Sequence, residues 1–141
     1  MESETNPASA GNSGEARQKK ILIVEDEPLL GNLLRRRLEK EDFDITLVRD
    51  GEEALRVLEE GPAPNLVLLD IILPKISGFE LMERMNQNAK LLDQHIPIVI
   101  ISNLGQEGDV QKGQALGAIG YFVKAQLSIE DLVSKVREFF A

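Results

Sequence analysis

Short apolar runs alternate along the chain with longer segments in which apolar residues recur every three or four positions. A short, continuous apolar run is typical of a strand that is buried on both faces, as in a parallel sheet. We therefore predict five strands, at about residues 20–24, 44–48, 65–69, 97–101 and 119–123.

The segments between these runs carry the apolar spacing of amphipathic helices. Five helices are predicted, at about residues 28–40, 51–60, 78–86, 106–116 and 129–140. Pro28 suits the first turn of the first helix, and Asp50 with Glu53 and Ser128 with Asp131 have the spacing of capping pairs. An interior glycine costs about 0.8–1 kcal/mol relative to alanine, so we expect the fourth helix to be weakly stable. Four glycines crowd it: Gly105, Gly108, Gly113 and Gly117.

Regular alternation of strand and helix predicts an α/β fold with a doubly wound, five-stranded parallel sheet. Right-handed crossovers would place two helices on one face and three on the other. Residues 19–141 are expected to form one domain with no appended output module. Residues 1–18 are rich in Ser, Asn, Gly and Glu without apolar periodicity, which predicts a disordered N-terminal tail.

Composition excludes several classes of function. The net charge is −8, from 24 acidic and 16 basic residues, which argues against binding to nucleic acid or anionic membranes. The chain has no cysteine, so disulfides, thiolate catalysis and cysteine-based zinc sites are excluded. No apolar run has the length of a membrane span and no signal peptide is visible, so we expect a cytoplasmic location.

Carboxylates follow two of the predicted strands. Asp70 comes directly after the third strand, and Glu25, Asp26 and Glu27 follow the first. Open α/β sheets bind ligands at the carboxyl ends of their strands, so these side chains are expected to converge. Carboxylates packed together repel unless a charge compensates them, and a hard cation such as Mg²⁺ prefers oxygen ligands. The pattern predicts a magnesium site.

The fourth and fifth strands end in groups that can hold a phosphoryl group. Ser102 supplies a hydroxyl and Lys124 an ammonium. A metal, a hydroxyl and an ammonium around a carboxylate can neutralise phosphoryl oxygens. Carboxylates themselves can act as nucleophiles and form aspartyl phosphates.

Four short motifs and one glycine, in order along the chain, resemble the receiver domain of two-component response regulators over residues 19–141. They are Val-Glu-Asp-Glu-Pro at 24–28, Leu-Asp-Ile-Ile-Leu-Pro at 69–74 with Gly78, Ile-Ser at 101–102, and Gly-Tyr-Phe-Val-Lys at 120–124. The resemblance implies a flavodoxin-like sheet with strand order 2-1-3-4-5.

The resemblance also implies a role for each site residue. Asp70 matches the phospho-acceptor. Glu25, Asp26 and Asp70, with the main-chain carbonyl of Ile72, match the ligands of Mg²⁺.

The resemblance implies further roles for the two strand-end groups and for one aromatic residue. Ser102 and Lys124 match the residues that bind phosphoryl oxygens, and Tyr121 matches an aromatic switch residue that turns inward when the hydroxyl residue shifts. The sequence departs from the family pattern at Ala125, where proline is usual, and at Asn103, where a small residue is usual. Without proline at 125 a cis peptide would cost about 2.5–4 kcal/mol, so we predict a trans bond.

By this resemblance, the expected function is that of a stand-alone response regulator in a phosphorelay. A sensor histidine kinase or histidine phosphotransfer protein would phosphorylate Asp70. The domain would catalyse its own phosphorylation and dephosphorylation without being a conventional turnover enzyme. A downstream protein would bind through the fourth helix, fifth strand and last helix, with no direct contact to nucleic acid or membrane.

Other functions remain open alternatives. A domain of this fold can serve as a docking module without phosphorylation. A flavodoxin-like electron carrier is disfavoured, since Glu25, Asp26 and Glu27 stand where a flavin phosphate would bind and aromatic content is only 4%. A phosphatase of the haloacid dehalogenase type would need an Asp-x-Asp pattern at the end of the first strand, and this pattern fails because residues 25–27 read Glu-Asp-Glu. Glu27 is interpreted as a first-turn acid favoured by the helix dipole, and His95 as exposed and without chemistry.

Overall fold

The computed structural model describes residues 18–141. The strands are β1 (Lys20–Val24), β2 (Asp44–Val48), β3 (Leu66–Leu69), β4 (Ile98–Ser102) and β5 (Gly120–Val123). The helices are α1 (Pro28–Glu39), α2 (Gly51–Glu60), α3 (Gly78–Gln87), α4 (Ala89–Gln94), α5 (Glu107–Ala115) and α6 (Ile129–Phe139). A 3₁₀ turn spans Lys124–Gln126. Apart from Gln18, the tail predicted over residues 1–18 lies outside the described residues.

The five strands form one parallel sheet in the order β2-β1-β3-β4-β5, which confirms the predicted topology. The pairing register sets Val24 level with Leu69, and Ser102 level with Val123. The residues that follow β1, β3 and β5 therefore leave the sheet at the same edge as the end of β4. This edge carries the chemistry that the sequence indicates.

The prediction of five helices was wrong by one, because residues 89–94 form the additional helix α4. The Asn88 side chain caps it by accepting a hydrogen bond from the Leu91 N–H at 3.1 Å, and Leu91 is buried. A helix of six residues is too short to show a period, and such a helix is stable only when it packs on the rest of the protein. The predicted fourth and last helices are α5 and α6. His95, exposed as predicted, ends α4 in the left-handed conformation with φ 50°.

The predicted capping pairs are present. The Asp50 carboxylate accepts a hydrogen bond from the Glu53 N–H at 2.7 Å at the start of α2. Ser128 and Asp131 form a reciprocal capping box at the start of α6. Because each cap satisfies backbone groups that a helix terminus leaves unpaired, local sequence determines where these helices begin.

The core lies in two layers, one on each face of the sheet. Alternate β1 side chains enter different layers: Leu22 and Val24 pack with residues of α2, α3 and α4, and Ile21 and Ile23 pack with residues of α1 and α6. Helix α5 also covers the first face, so the predicted arrangement of two and three helices becomes two and four. Among the helices of residues 18–141, none combines the length and the hydropathy that crossing a bilayer requires.

Candidate functional site

The strand ends bring Glu25, Asp70 and Lys124 to one edge of the sheet. Two backbone hydrogen bonds extend the ladder past β1 and β3, from the Glu25 N–H to the Val48 carbonyl and from the Asp70 N–H to the Val24 carbonyl, each at 3.0 Å. The side chains of Glu25 and Asp70 therefore extend from backbone that is held in place by sheet hydrogen bonds. Lys124 follows β5 directly and begins the 3₁₀ turn.

Lys124 lies between two buried carboxylates. Its Nζ is 2.8 Å from Asp70 Oδ2 and 2.9 Å from Glu25 Oε1. The exposed fractions of the side chains are 13% for Lys124, 7% for Asp70 and 4% for Glu25, so solvent screens these contacts little. Glu27 lies farther from the ammonium, at 3.7 Å, and is 62% exposed, which agrees with a minor role at the site.

Backbone amides also donate hydrogen bonds to the two carboxylates. Asp70 Oδ1 accepts hydrogen bonds from the N–H groups of Ile71 at 2.7 Å and Ile72 at 3.3 Å. Glu25 Oε2 accepts from the Glu27 N–H at 3.0 Å. Both carboxylates therefore have fixed orientations before any ligand arrives.

Gly78 makes the turn after Asp70 possible. Its N–H donates to the Ile71 carbonyl at 2.8 Å, and a Cβ at this position would lie 2.4 Å from the Asp70 carbonyl oxygen. Any side chain would therefore displace the backbone of Asp70. The sequence offered Gly78 only as part of a family pattern, whereas the structure supplies the steric reason.

Burial and the neighbouring charges shift the pKa values of two groups. Burial raises the pKa of the Glu25 carboxyl, the hydrogen bond from Lys124 opposes this, and the negative charge of Asp70 adds to the rise. Burial alone would lower the pKa of Lys124. The hydrogen bonds to Asp70 and Glu25 outweigh it, so the net shift of the Lys124 pKa is upward. The ammonium is thus kept charged between the two carboxylates.

Three carboxylates form a cluster with the chemistry of a divalent-cation site. One oxygen each of Glu25, Asp26 and Asp70 lies within 4.8 Å of the others, and Asp26 is exposed. An all-oxygen donor set with an exposed side fits a hard cation that keeps some of its water, as Mg²⁺ does. The predicted part of the Ile72 carbonyl as a further ligand stays a prediction.

Ser102 and Tyr121 both contact the backbone of Leu104. The Ser102 hydroxyl is fully buried, and its Oγ accepts a hydrogen bond from the Leu104 N–H at 3.3 Å. The Tyr121 hydroxyl donates to the carbonyl oxygen of the same residue. The two predicted switch residues are therefore connected through one residue of the β4–α5 loop, a link that sequence reasoning did not reveal.

Comparison with known proteins decides the family. Residues 21–137 match the family model described as the response regulator receiver domain. The chain belongs to this family. The phosphate regulon transcriptional regulatory protein PhoB of Rhizobium meliloti (strain 1021) is 38% identical to this receiver over 118 residues, which are 84% of this chain and 50% of PhoB. The chain spans about half the length of the curated relatives it matches.

Solved receiver structures share the fold. The Mn²⁺-bound form of response regulator Rcp1 is 33% identical, with a TM-score of 0.72 and coverage of 85% of this chain and 90% of that chain. The phosphorylated cyanobacterial phytochrome response regulator RcpA is 28% identical, with a TM-score of 0.73 and coverage of 86% and 91%.

The two departures from the receiver pattern leave the site assembled. The Lys124–Ala125 peptide is trans, as predicted, and the chain continues in the 3₁₀ turn. Lys124 still lies 2.8 Å from Asp70 Oδ2. The Asn103 side chain is exposed.

Mg²⁺ in the millimolar range is expected to raise the melting temperature of this receiver, because a ligand that binds only the folded protein stabilises it by mass action. Asp26→Asn should stabilise the metal-free protein by about 0.5 kcal/mol, the order for exposed charges, and weaken the response to Mg²⁺. Thermal melts with increasing Mg²⁺ measure both effects. Asp93→Asn, an exposed aspartate on α4, is the control. Melting curves insensitive to Mg²⁺ would contradict the metal site.

Proposed function

We propose that this receiver accepts a phosphoryl group on Asp70 from the phosphohistidine of a sensor histidine kinase or a histidine phosphotransfer protein. The observation that carries the proposal is the fixed Asp70 carboxylate, which is held by two backbone N–H groups on one oxygen and by Lys124 on the other. Two relatives support it, since RcpA is described as phosphorylated and Rcp1 as Mn²⁺-bound.

The transfer needs an in-line nucleophile and neutralised oxygens. A carboxylate oxygen of Asp70 attacks phosphorus, the P–N bond to the donor imidazole breaks, and its electron pair returns to that nitrogen. Lys124 donates hydrogen bonds to the transferring oxygens. Bound Mg²⁺, held by Glu25, Asp26 and Asp70, would supply further positive charge beside them.

The Ser102 hydroxyl can donate a hydrogen bond to a phosphoryl oxygen. Its Oγ already accepts from the Leu104 N–H, which leaves the O–H free for a phosphoryl oxygen. Since a hydroxyl carries one donor and two acceptor positions, both contacts can exist together.

Phosphorylation would then change what the domain binds. Water later hydrolyses the acyl phosphate, so the domain acts as a switch that resets and not as a conventional turnover enzyme. The proposed target surface comprises α5, β5 and α6, since Tyr121 on β5 connects to the loop that carries Ser102. The net charge of −8 supports a protein target in place of nucleic acid, although PhoB is named a transcriptional regulator.

Acetyl phosphate with Mg²⁺ is expected to add one phosphoryl group to the wild-type chain. Asp70→Asn should abolish the addition because the amide is not a nucleophile, whereas Asp93→Asn should leave it intact. Intact mass spectrometry measures the addition. A wild-type chain that stays unmodified with both acetyl phosphate and a histidine-phosphorylated donor would instead favour the phosphorylation-independent docking module.

A further inference from the structure

The Tyr121 side chain packs against a helix residue that has no side chain. Tyr121 is half-buried on β5, and its hydroxyl donates a hydrogen bond to the Leu104 carbonyl. Gly113 lies within α5 and is buried. A Cβ at Gly113 would lie 3.2 Å from Cδ2 and 3.4 Å from Cε2 of the Tyr121 ring, and 2.7 Å from Cδ1 of Ile100.

At these distances a methyl group on residue 113 would overlap sterically with Ile100 and would press against the Tyr121 ring. Ile100 is a fully buried β4 residue, so its side chain can yield only towards its neighbours, among which is the tyrosine ring. Interiors are packed closely enough that one added methyl group is felt. Gly108 in the same helix differs, since a Cβ there would meet nothing within 4 Å.

We propose that Gly113 is a positioning residue for Tyr121. The space left by its missing side chain accommodates the ring in the position from which the Tyr121 hydroxyl donates a hydrogen bond to the Leu104 carbonyl. An interior glycine destabilises a helix by about 0.8–1 kcal/mol relative to alanine, so packing of the ring is the compensating reason for glycine at this position.

The position of the ring bears on the phosphoryl site through Leu104. The hydroxyl of Tyr121 holds the carbonyl of Leu104, and the N–H of Leu104 holds Ser102 Oγ. A displaced ring loses the hydrogen bond from the Tyr121 hydroxyl to the Leu104 carbonyl. The loop that orients the hydrogen bond between the Leu104 N–H and Ser102 Oγ is then less constrained. The signalling consequence rests on the proposed function, whereas the seating of the ring does not.

The chain is suited to a spectroscopic test, because Tyr121 is its single tyrosine and it has no tryptophan. Intrinsic tyrosine fluorescence therefore reports on this side chain alone. Gly113→Ala is expected to raise the Stern–Volmer constant for acrylamide quenching towards that of free tyrosine. Gly108→Ala, the same change at an open position of the same helix, should leave the constant at the wild-type value.

Phosphorylation provides an independent readout. After treatment with acetyl phosphate and Mg²⁺, intact mass should show that wild type and Gly113→Ala can each take up one phosphoryl group, while the Stern–Volmer constant stays higher in the variant. A wild-type chain that takes up no phosphoryl group would contradict the proposed function alone. Equal quenching constants in Gly113→Ala, Gly108→Ala and wild type would overturn the role of Gly113.

A double-mutant cycle covers the case of an unstable variant. In a Tyr121→Ala background the ring is gone, so Gly113→Ala should raise the melting temperature by its helix propensity, whereas it lowers that temperature when Tyr121 is present. Thermal melts of the four proteins measure the coupling. Additive effects would assign the constraint to Ile100 and overturn the proposal. The same conclusion would follow if Gly113→Ala failed to fold both alone and in the Tyr121→Ala background.

Discussion

Lys124→Met is expected to lower the free energy of unfolding by about 3 kcal/mol in the absence of Mg²⁺, because removing one partner of a buried ion pair leaves uncompensated charge. Lys124 is the cation 2.8 Å from Asp70 and 2.9 Å from Glu25, and both carboxylates are nearly inaccessible to water. Urea denaturation monitored by circular dichroism measures the loss. Mg²⁺ should restore part of it by replacing the missing positive charge.

Lys20→Met is the matched control. Lys20 pairs with Asp44 at 3.0 Å, but the two side chains are 47% and 46% exposed. An exposed ion pair contributes about 0–1 kcal/mol, so this variant should stay close to wild type. A Lys124→Met protein as stable as Lys20→Met would show that the buried cluster needs no internal cation.

The effect of Lys124→Met should depend on pH. The pKa of Glu25 is already raised in the folded protein, and loss of the Lys124 hydrogen bond raises it further. A carboxyl group with a folded-state pKa above its unfolded value destabilises the protein as pH rises through the interval between the two. The difference between variant and wild type should therefore be small near about pH 4 and larger at neutral pH. Denaturation at both pH values measures it.

The double change Ile72→Asn with Leu104→Glu is expected to shorten the lifetime of the phosphorylated protein by about an order of magnitude, a modest share of what positioning a reactant contributes. The resemblance to receivers implies that Ile72 and Leu104, two residues past Asp70 and two past Ser102, flank the route of the attacking water. Here both are apolar; Ile72 is 60% exposed and Leu104 is half-buried. Neither side chain can hydrogen-bond a water in line with phosphorus, so the wild type should dephosphorylate slowly.

Decay of the phosphorylated protein on a Phos-tag gel, after the donor is removed, measures this lifetime. Leu92→Glu is the control for added charge, since Leu92 is 52% exposed on α4. The control should decay at the wild-type rate. Equal decay of wild type and the double variant would show that apolar shielding does not set the lifetime.

Local sequence was sufficient for most of the fold. The apolar runs predict β1 to β5, because a strand that is covered on both faces must itself be apolar along its length, and their alternation with amphipathic segments predicts a parallel sheet. The caps at Asp50 and Ser128 are equally local. Helix α4 was missed because six residues carry no period, and the burial of Leu91 that stabilises it comes from other parts of the chain.

The candidate site divides in the same way. The sequence by itself determined which groups follow the strands, and parallel pairing placed them at one edge. Only the tertiary structure showed that Lys124 bridges Asp70 and Glu25, 54 and 99 positions away. It alone showed that Leu104 joins Ser102 to Tyr121, and that Gly113 packs against the tyrosine ring. Such contacts depend on how separate elements pack, which no local pattern of residues encodes.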